Sequence, residues 1–160
     1  MISPEDFLKH SNSLYKLGEK SEILLRNVAR NSYYALYHKL VKIDGLPTLD
    51  KNKKEFGSHE SLIQQLRMSE DLGLREWGLT LANLKATRTK ADYKIRGPFS
   101  DHDARKSIKI VEKTFAEITI KSNDKITVKS NDDVNTEKCK QVINPTPVAR
   151  PKRTKLRIIK

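Results

Sequence analysis

Residues 21–45, Ser21-Glu-Ile-Leu-Leu-Arg-Asn-Val-Ala-Arg30-Asn-Ser-Tyr-Tyr-Ala-Leu-Tyr-His-Lys-Leu40-Val-Lys-Ile-Asp-Gly45, decide the fold class. Leu24, Leu25, Val28, Ala29, Leu36 and Leu40 recur at intervals of three and four, the period that lines one face of an α-helix. Ser21 opens the helix and Asp44-Gly45 closes it, because glycine accepts the left-handed conformation in which helices often end. The spacing predicts a helix of roughly 23 residues, long enough to be a principal member of a bundle.

The same period continues on both sides. Upstream, Ser3-Pro4-Glu5-Asp6 is a helix start: serine caps, proline suits the first turn, and the acids face the positive end of the helix dipole. That helix is expected to run to about Leu17 and stop at Gly18. Downstream, a polar loop over 46–57 precedes a short helix that begins at Gly57-Ser58 and carries Leu62, Ile63 and Leu66. A fourth helix carries Leu74, Trp77, Leu81 and Leu84. The fifth, capped by Ser100 with Asp103 three residues on, carries Ala104, Ile108, Val111, Phe115 and Ile118. The expectation for 1–120 is an all-α antiparallel bundle of four main helices and one short one.

Composition agrees with one compact domain: 160 residues, of which 36% are hydrophobic and 6% aromatic. No apolar run is long enough for a membrane span, and Glu5 and Asp6 lie where a secretory signal would be basic and then apolar. The single cysteine, Cys139, excludes an internal disulfide framework and a multi-thiolate metal site and agrees with a reducing compartment, so a cytoplasmic location is expected. The excess of 32 Lys+Arg over 20 Asp+Glu gives a net charge of +12. More than half of it falls in 121–160, where the text turns to Ser, Asn, Asp and Pro with few large apolar residues. A domain boundary is placed near Ser122, with 121–160 a largely disordered basic tail. Within the tail, Lys125–Lys129 and Lys155–Ile159 alternate in the manner of short strands.

Two places break the helical stripes. The fourth-helix line, continued four residues from Leu84, reaches Arg88, so a guanidinium falls where the helix otherwise faces the core. Such a charge must be satisfied. Asp92, one turn further, shares its face and can pair with it, whereas Tyr93 is about 140° round the helix and points to a neighbouring helix or subunit. In the second helix Asn31, Tyr34 or Ala35, and His38 make a polar, hydrogen-bonding face in mid-helix. One reading is structural: an Arg88–Asp92 ion pair, amphipathic tyrosines and a satisfied core histidine. The other is a cleft with rings for stacking on bases, Arg30 and Arg88 for phosphate, and His38 as proton carrier.

Arg30 through His38 resembles the "R-x-x-Y-Y-A-x-(F/Y)-H" helix, and Arg88-Thr-Lys-Ala-Asp-Tyr93 followed by Phe99-Ser100 resembles the "R-x-x-A-D-Y … F-S" segment, of HEPN-domain proteins (higher eukaryotes and prokaryotes nucleotide-binding). Ser58-His59 ahead of an apolar helix is similar to that family's middle segment. The resemblance covers roughly residues 5–120 and does not extend to the tail. It implies an all-α, commonly dimeric bundle of the kind found in RNA-cleaving toxins, in phage-defence and CRISPR-associated ribonucleases, and in partners of small nucleotidyltransferases. In ribonuclease members an Arg is followed after four to six residues by a His, and two subunits face each other to form a metal-independent site. Here that position falls on Asp92 or Tyr93, and a tyrosine is a poor general base at neutral pH, although its hydroxyl can orient a phosphate oxygen or 2′-hydroxyl.

The final stretch, Arg150-Pro-Lys-Arg-Thr-Lys-Leu-Arg-Ile-Ile-Lys160, has no acid and suits nonspecific phosphate binding driven by counterion release. A solubilising charged end is the plainer alternative. His10 and His102 join no set with metal-ligand spacing, so no metal and no cofactor are expected. The catalytic candidates are Arg88, His38 and Tyr93. The nucleic-acid-binding candidates are Arg30, Asn31, Tyr34 and Lys90 in the bundle and Arg150, Lys152, Arg153, Lys155 and Arg157 in the tail. Three functions compete: an RNA-directed HEPN-like homodimer of a defence or toxin–antitoxin system, with metal-independent endoribonuclease chemistry; a non-catalytic HEPN-like protein pairing with a nucleotidyltransferase or other effector subunit; and a nucleic-acid-binding accessory that works through its tail.

Overall fold

The computed structural model describes residues 1–49 and 56–131. Five helices follow one another: α1 (Pro4–Lys16), α2 (Glu22–Leu40), α3 (Ser58–Met68), α4 (Leu72–Tyr93) and α5 (Asp101–Asn131). The fold is all-α, and no strand occurs among the described residues.

Local chemistry sets the helix starts. Ser3 and Asp6 form a reciprocal capping box around Pro4 at the first turn of α1. Ser100 and Asp103 exchange the equivalent bonds at the start of α5. The Asp71 carboxylate accepts from the Gly73 and Leu74 amides at the head of α4. Ser21 precedes α2 in extended backbone but makes no side-chain cap bond. That helix ends at Leu40, short of the expected Asp44-Gly45, and Gly45 takes its positive φ of 75° in the turn beyond.

Helices α1 and α2 are antiparallel: Glu5 meets Lys39 at one end, while near the middle of both Ser11 donates to the Val28 carbonyl at 2.8 Å and lies 3.0 Å from the Ser32 hydroxyl. Both serines are fully buried, and their small size lets the two backbones come close without an orphaned polar atom. Helix α4 runs back along α2 and is met by α5, with Lys90 paired to Asp103 and the Trp77 indole donating to Glu117.

The apolar stripes become two clusters. The larger holds Leu36, Leu40, Leu62, Ile63, Leu66, Trp77, Leu81, Leu84, Val111 and Ile118, and the smaller holds Leu25, Val28, Ala29, Ala91, Phe99, Ala104 and Ile108 where α2, α4 and α5 meet.

One further expectation changes. The alternating stretch Lys125–Lys129 is not a strand, because α5 runs through it to Asn131. No Gly or Pro stands between Asp101 and Pro145, and extending an existing helix costs far less than nucleating a new element. The compact unit nevertheless closes at Asp124, within this helix. The expected disorder of the remaining tail, the strand at Lys155–Ile159 and the basic residues Arg150, Lys152, Arg153, Lys155 and Arg157 lie outside the described residues.

Candidate functional site

The two pattern-breaking segments meet. Arg88 on α4 extends its guanidinium to α2, where Nη2 donates to the Tyr34 hydroxyl at 2.8 Å. Its Nε lies 2.8 Å from Asp92 Oδ2, yet the N–H is not directed at that oxygen, and the buried Nε forms no hydrogen bond. Charge rather than hydrogen-bond geometry therefore holds the pair. The guanidinium carbon also sits 5.5 Å from the centre of the Tyr34 ring and 5.4 Å from that of Tyr93, within cation–π range of both. Burial works against the Arg88 charge, but the Tyr34 bond and the Asp92 carboxylate more than offset it and raise its pKa above the ordinary value.

Tyr34 is the hub of an aromatic assembly. His38, one turn along α2, stacks on Tyr34 at 6.1 Å and on Phe7 of α1 at 5.5 Å. From α3, His59 enters the same group 6.0 Å from Tyr34 and 4.2 Å from Tyr37, and its Nδ1 lies 2.8 Å from the Tyr33 hydroxyl. Tyr33 is only 1% exposed, and burial raises its pKa, so it keeps its proton. That proton has His59 Nδ1 as its one acceptor among the described residues, and a buried hydroxyl left without an acceptor would be costly. We therefore assign Tyr33 as the donor and Nε2 as the protonated nitrogen of a neutral His59. The pKa of His59 is lowered below the ordinary imidazole value, first by burial and then by the charges of Arg88, Lys85 and His38. Lys85 is held by Glu60 at 2.6 Å.

Sequence reasoning reached Arg88, Asp92, Tyr34, His38 and Tyr93, and these come together. Tyr93 is 68% exposed beside the guanidinium. Arg30 is exposed and Asn31 half-buried, and neither makes a hydrogen bond or ion pair among the described residues. Lys90 is turned elsewhere, bonded to Asp103 at 2.8 Å and lining, with Lys94, Gly97 and Pro98, a groove of about 470 Å³. Two positions along α4 from Arg88 is roughly 200° of rotation, so the two cations face opposite ways. His59 was not selected as a site residue. Its signal was the Ser58-His59 pair at the head of α3, which acquires meaning only when α3 packs on the tyrosines.

A second arginine, Arg26, also went unselected. It is 6% exposed and reaches the end of α4, where Nη1 donates to the Ala91 and Lys90 carbonyls at 2.8 and 3.1 Å and Nη2 to the Gly97 carbonyl at 2.6 Å. Glu22 accepts from its Nε at 2.8 Å. Arg26 satisfies helix-end carbonyls and complements the negative end of the dipole, a structural task.

The cluster around Tyr34 thus offers a fixed guanidinium, a neutral imidazole with an N–H to give, a second imidazole and an exposed phenol. No family model, characterised protein or solved structure matches this chain. Among the described residues no helix is long and apolar enough to cross a membrane.

Proposed function

We propose that the chain is an RNA-directed, HEPN-like protein whose phosphodiester site is the Tyr34–Arg88 junction. The observation that carries this reading is the 2.8 Å bond between Arg88 and Tyr34, which places one arginine and two histidines around a single ring at the meeting of the two motif segments. The nucleophile of a cleavage reaction there is the RNA 2′-hydroxyl. It bonds to the adjacent phosphorus and gives up its proton, the bond from phosphorus to the 5′-oxygen breaks, and that oxygen receives a proton. The products are a 2′,3′-cyclic phosphate and a 5′-hydroxyl. In this proposal His38 carries a proton, Arg88 stabilises the charge of the phosphorane, and Tyr93 orients it, without a metal. A homodimer in the cytoplasm, acting in a defence or toxin–antitoxin setting, completes the reading. Of the five tyrosines only Tyr93 is exposed, so its ring is the tyrosine surface such a dimer would cover.

A second reading has its own observation. Asp92 already neutralises Arg88, as it would in a non-catalytic bundle that pairs with a nucleotidyltransferase or another effector subunit. Incubating the purified protein with mixed RNA in EDTA separates the two. Cleavage that is lost in Arg88→Ala and His38→Ala variants of unchanged helicity supports the first. RNA left intact by the wild type under all conditions supports the second.

A further inference from the structure

The outer face of α5 carries a line of cations that the Tyr34–Arg88 site does not use. Lys106, Lys109 and Lys113 follow one another at intervals of three and four and are all exposed, with Arg105 on the flank and the exposed His102 continuing the line towards the head of the helix. At 1.5 Å per residue the line is roughly 16 Å long. The side chains of Lys106 and Lys109 make no hydrogen bond or ion pair among the described residues, Arg105 has only the longer-range attraction of Asp101 one turn back, and Lys113 reaches Glu117 only at 3.7 Å with its side chain 80% exposed. The nearby acids are occupied: Asp101 by Tyr15 and Lys20, Asp103 by Lys90, Glu112 by the Asn12 amide, and Glu117 by the Trp77 indole.

This arrangement is unfavourable for the helix itself. Arg105 with Lys109, and Lys109 with Lys113, are like charges one turn apart, and cations in the first turns oppose the dipole. A ligand that supplies a row of negative charge reverses both terms. We infer that the outer face of α5 is a docking surface for the phosphate backbone of an RNA strand, separate from the Tyr34–Arg88 site. The inference rests on the RNA-directed reading above. A linear row of charge matches a linear polyphosphate. A membrane surface would call for large apolar side chains among the cations, and on this line Ala116 and the exposed Ile120 come only beyond Lys113.

The test uses the full chain and a labelled single-stranded RNA, with affinity measured across a salt series. The variant Arg105→Gln/Lys106→Gln/Lys109→Gln/Lys113→Gln should bind at least about tenfold more weakly near physiological salt. Its slope of log affinity against log salt should be shallower by roughly 2 to 3. Its melting temperature should not fall, since the repulsions are removed. The same slope change must appear when the five tail candidates, Arg150 to Arg157, are also neutralised. Equal RNA affinity and slope in wild type and variant would overturn the α5 surface and leave the Tyr34–Arg88 site standing. So would a variant that loses binding only to phosphatidylserine vesicles or to polyglutamate. A wild type that binds no RNA even at low salt would remove the RNA-directed reading itself.

Discussion

Arg26 and Ala91 are 65 residues apart in the chain, and the guanidinium of the first closes the helix that contains the second through a 2.8 Å bond to its carbonyl. The chain therefore holds two inward-facing arginines with different tasks. Arg26 is enclosed among carbonyls and one carboxylate, whereas Arg88 keeps 19% of its side chain exposed beside a hydroxyl and two aromatic rings.

That contrast sets an order of stability. Arg26→Ala leaves helix-end carbonyls without donors in a buried place and should lower the unfolding free energy by about 3 kcal/mol. Arg88→Ala removes one hydrogen bond and a partly solvated pair and should cost about 1 kcal/mol. Urea unfolding of both variants measures the difference, and the reverse order would make Arg88 the structural arginine.

His59 gives a pH dependence with a definite sign. Its folded-state pKa lies below that of the unfolded chain, so near and below the ordinary imidazole value the unfolded state binds more protons and stability falls on acidification. Above that range the contribution is constant. The melting temperature of wild type should drop more between pH 7.5 and pH 5.5 than that of His59→Gln, the other histidines being common to both.

Tyr33→Phe examines the assigned tautomer. Removing a hydroxyl that donates to Nδ1 withdraws support from the neutral ring, so the His59 titration followed by NMR should move upward, with about 1 kcal/mol lost in stability. A downward movement would mean that Nδ1 carries the proton.

Gly78 sits where α3 and α4 touch: a Cβ placed there would come 2.9 Å from Leu66 Cβ and 3.2 Å from the Arg67 backbone nitrogen. Neither atom can swing aside, so Gly78→Ala should cost about 1–3 kcal/mol although alanine is the better helix former by about 1 kcal/mol. Gly73→Ala meets chiefly the movable Lys121 ammonium, at 2.9 Å, and should be tolerated. Thermal melts of the two variants compare them directly.

For Tyr93 the expected effect is on chemistry alone. Its ring is exposed and its hydroxyl has no hydrogen-bond partner among the described residues, so Tyr93→Phe should leave stability within about 0.5 kcal/mol of wild type. In the proposed reaction the same change should remove most of the cleavage rate. Full activity in Tyr93→Phe would limit its role to the ring that lies against Arg88.

What the sequence alone determined is what neighbours along the chain can decide: the 3.6 period of the stripes, the caps at Ser3 and Ser100, the all-α class, and Asp92 one turn from Arg88. These depend on side chains within about four residues of each other, and their geometry is fixed by the helix once it forms. The same local reasoning failed at Lys125–Lys129, where a strand-like alternation was absorbed by a helix already under way. The tertiary structure decided which long-range partner each polar group received. Lys90 went to Asp103, His59 to Tyr33, and Arg26 to the end of α4. In the sequence Glu22–Arg26 is an ordinary i,i+4 surface pair, and His59 is a polar residue in a first turn. Arg26 becomes buried among several carbonyls, and His59 half-buried against Tyr33, only when helices dozens of residues apart pack together, because packing excludes the water that would otherwise have satisfied them.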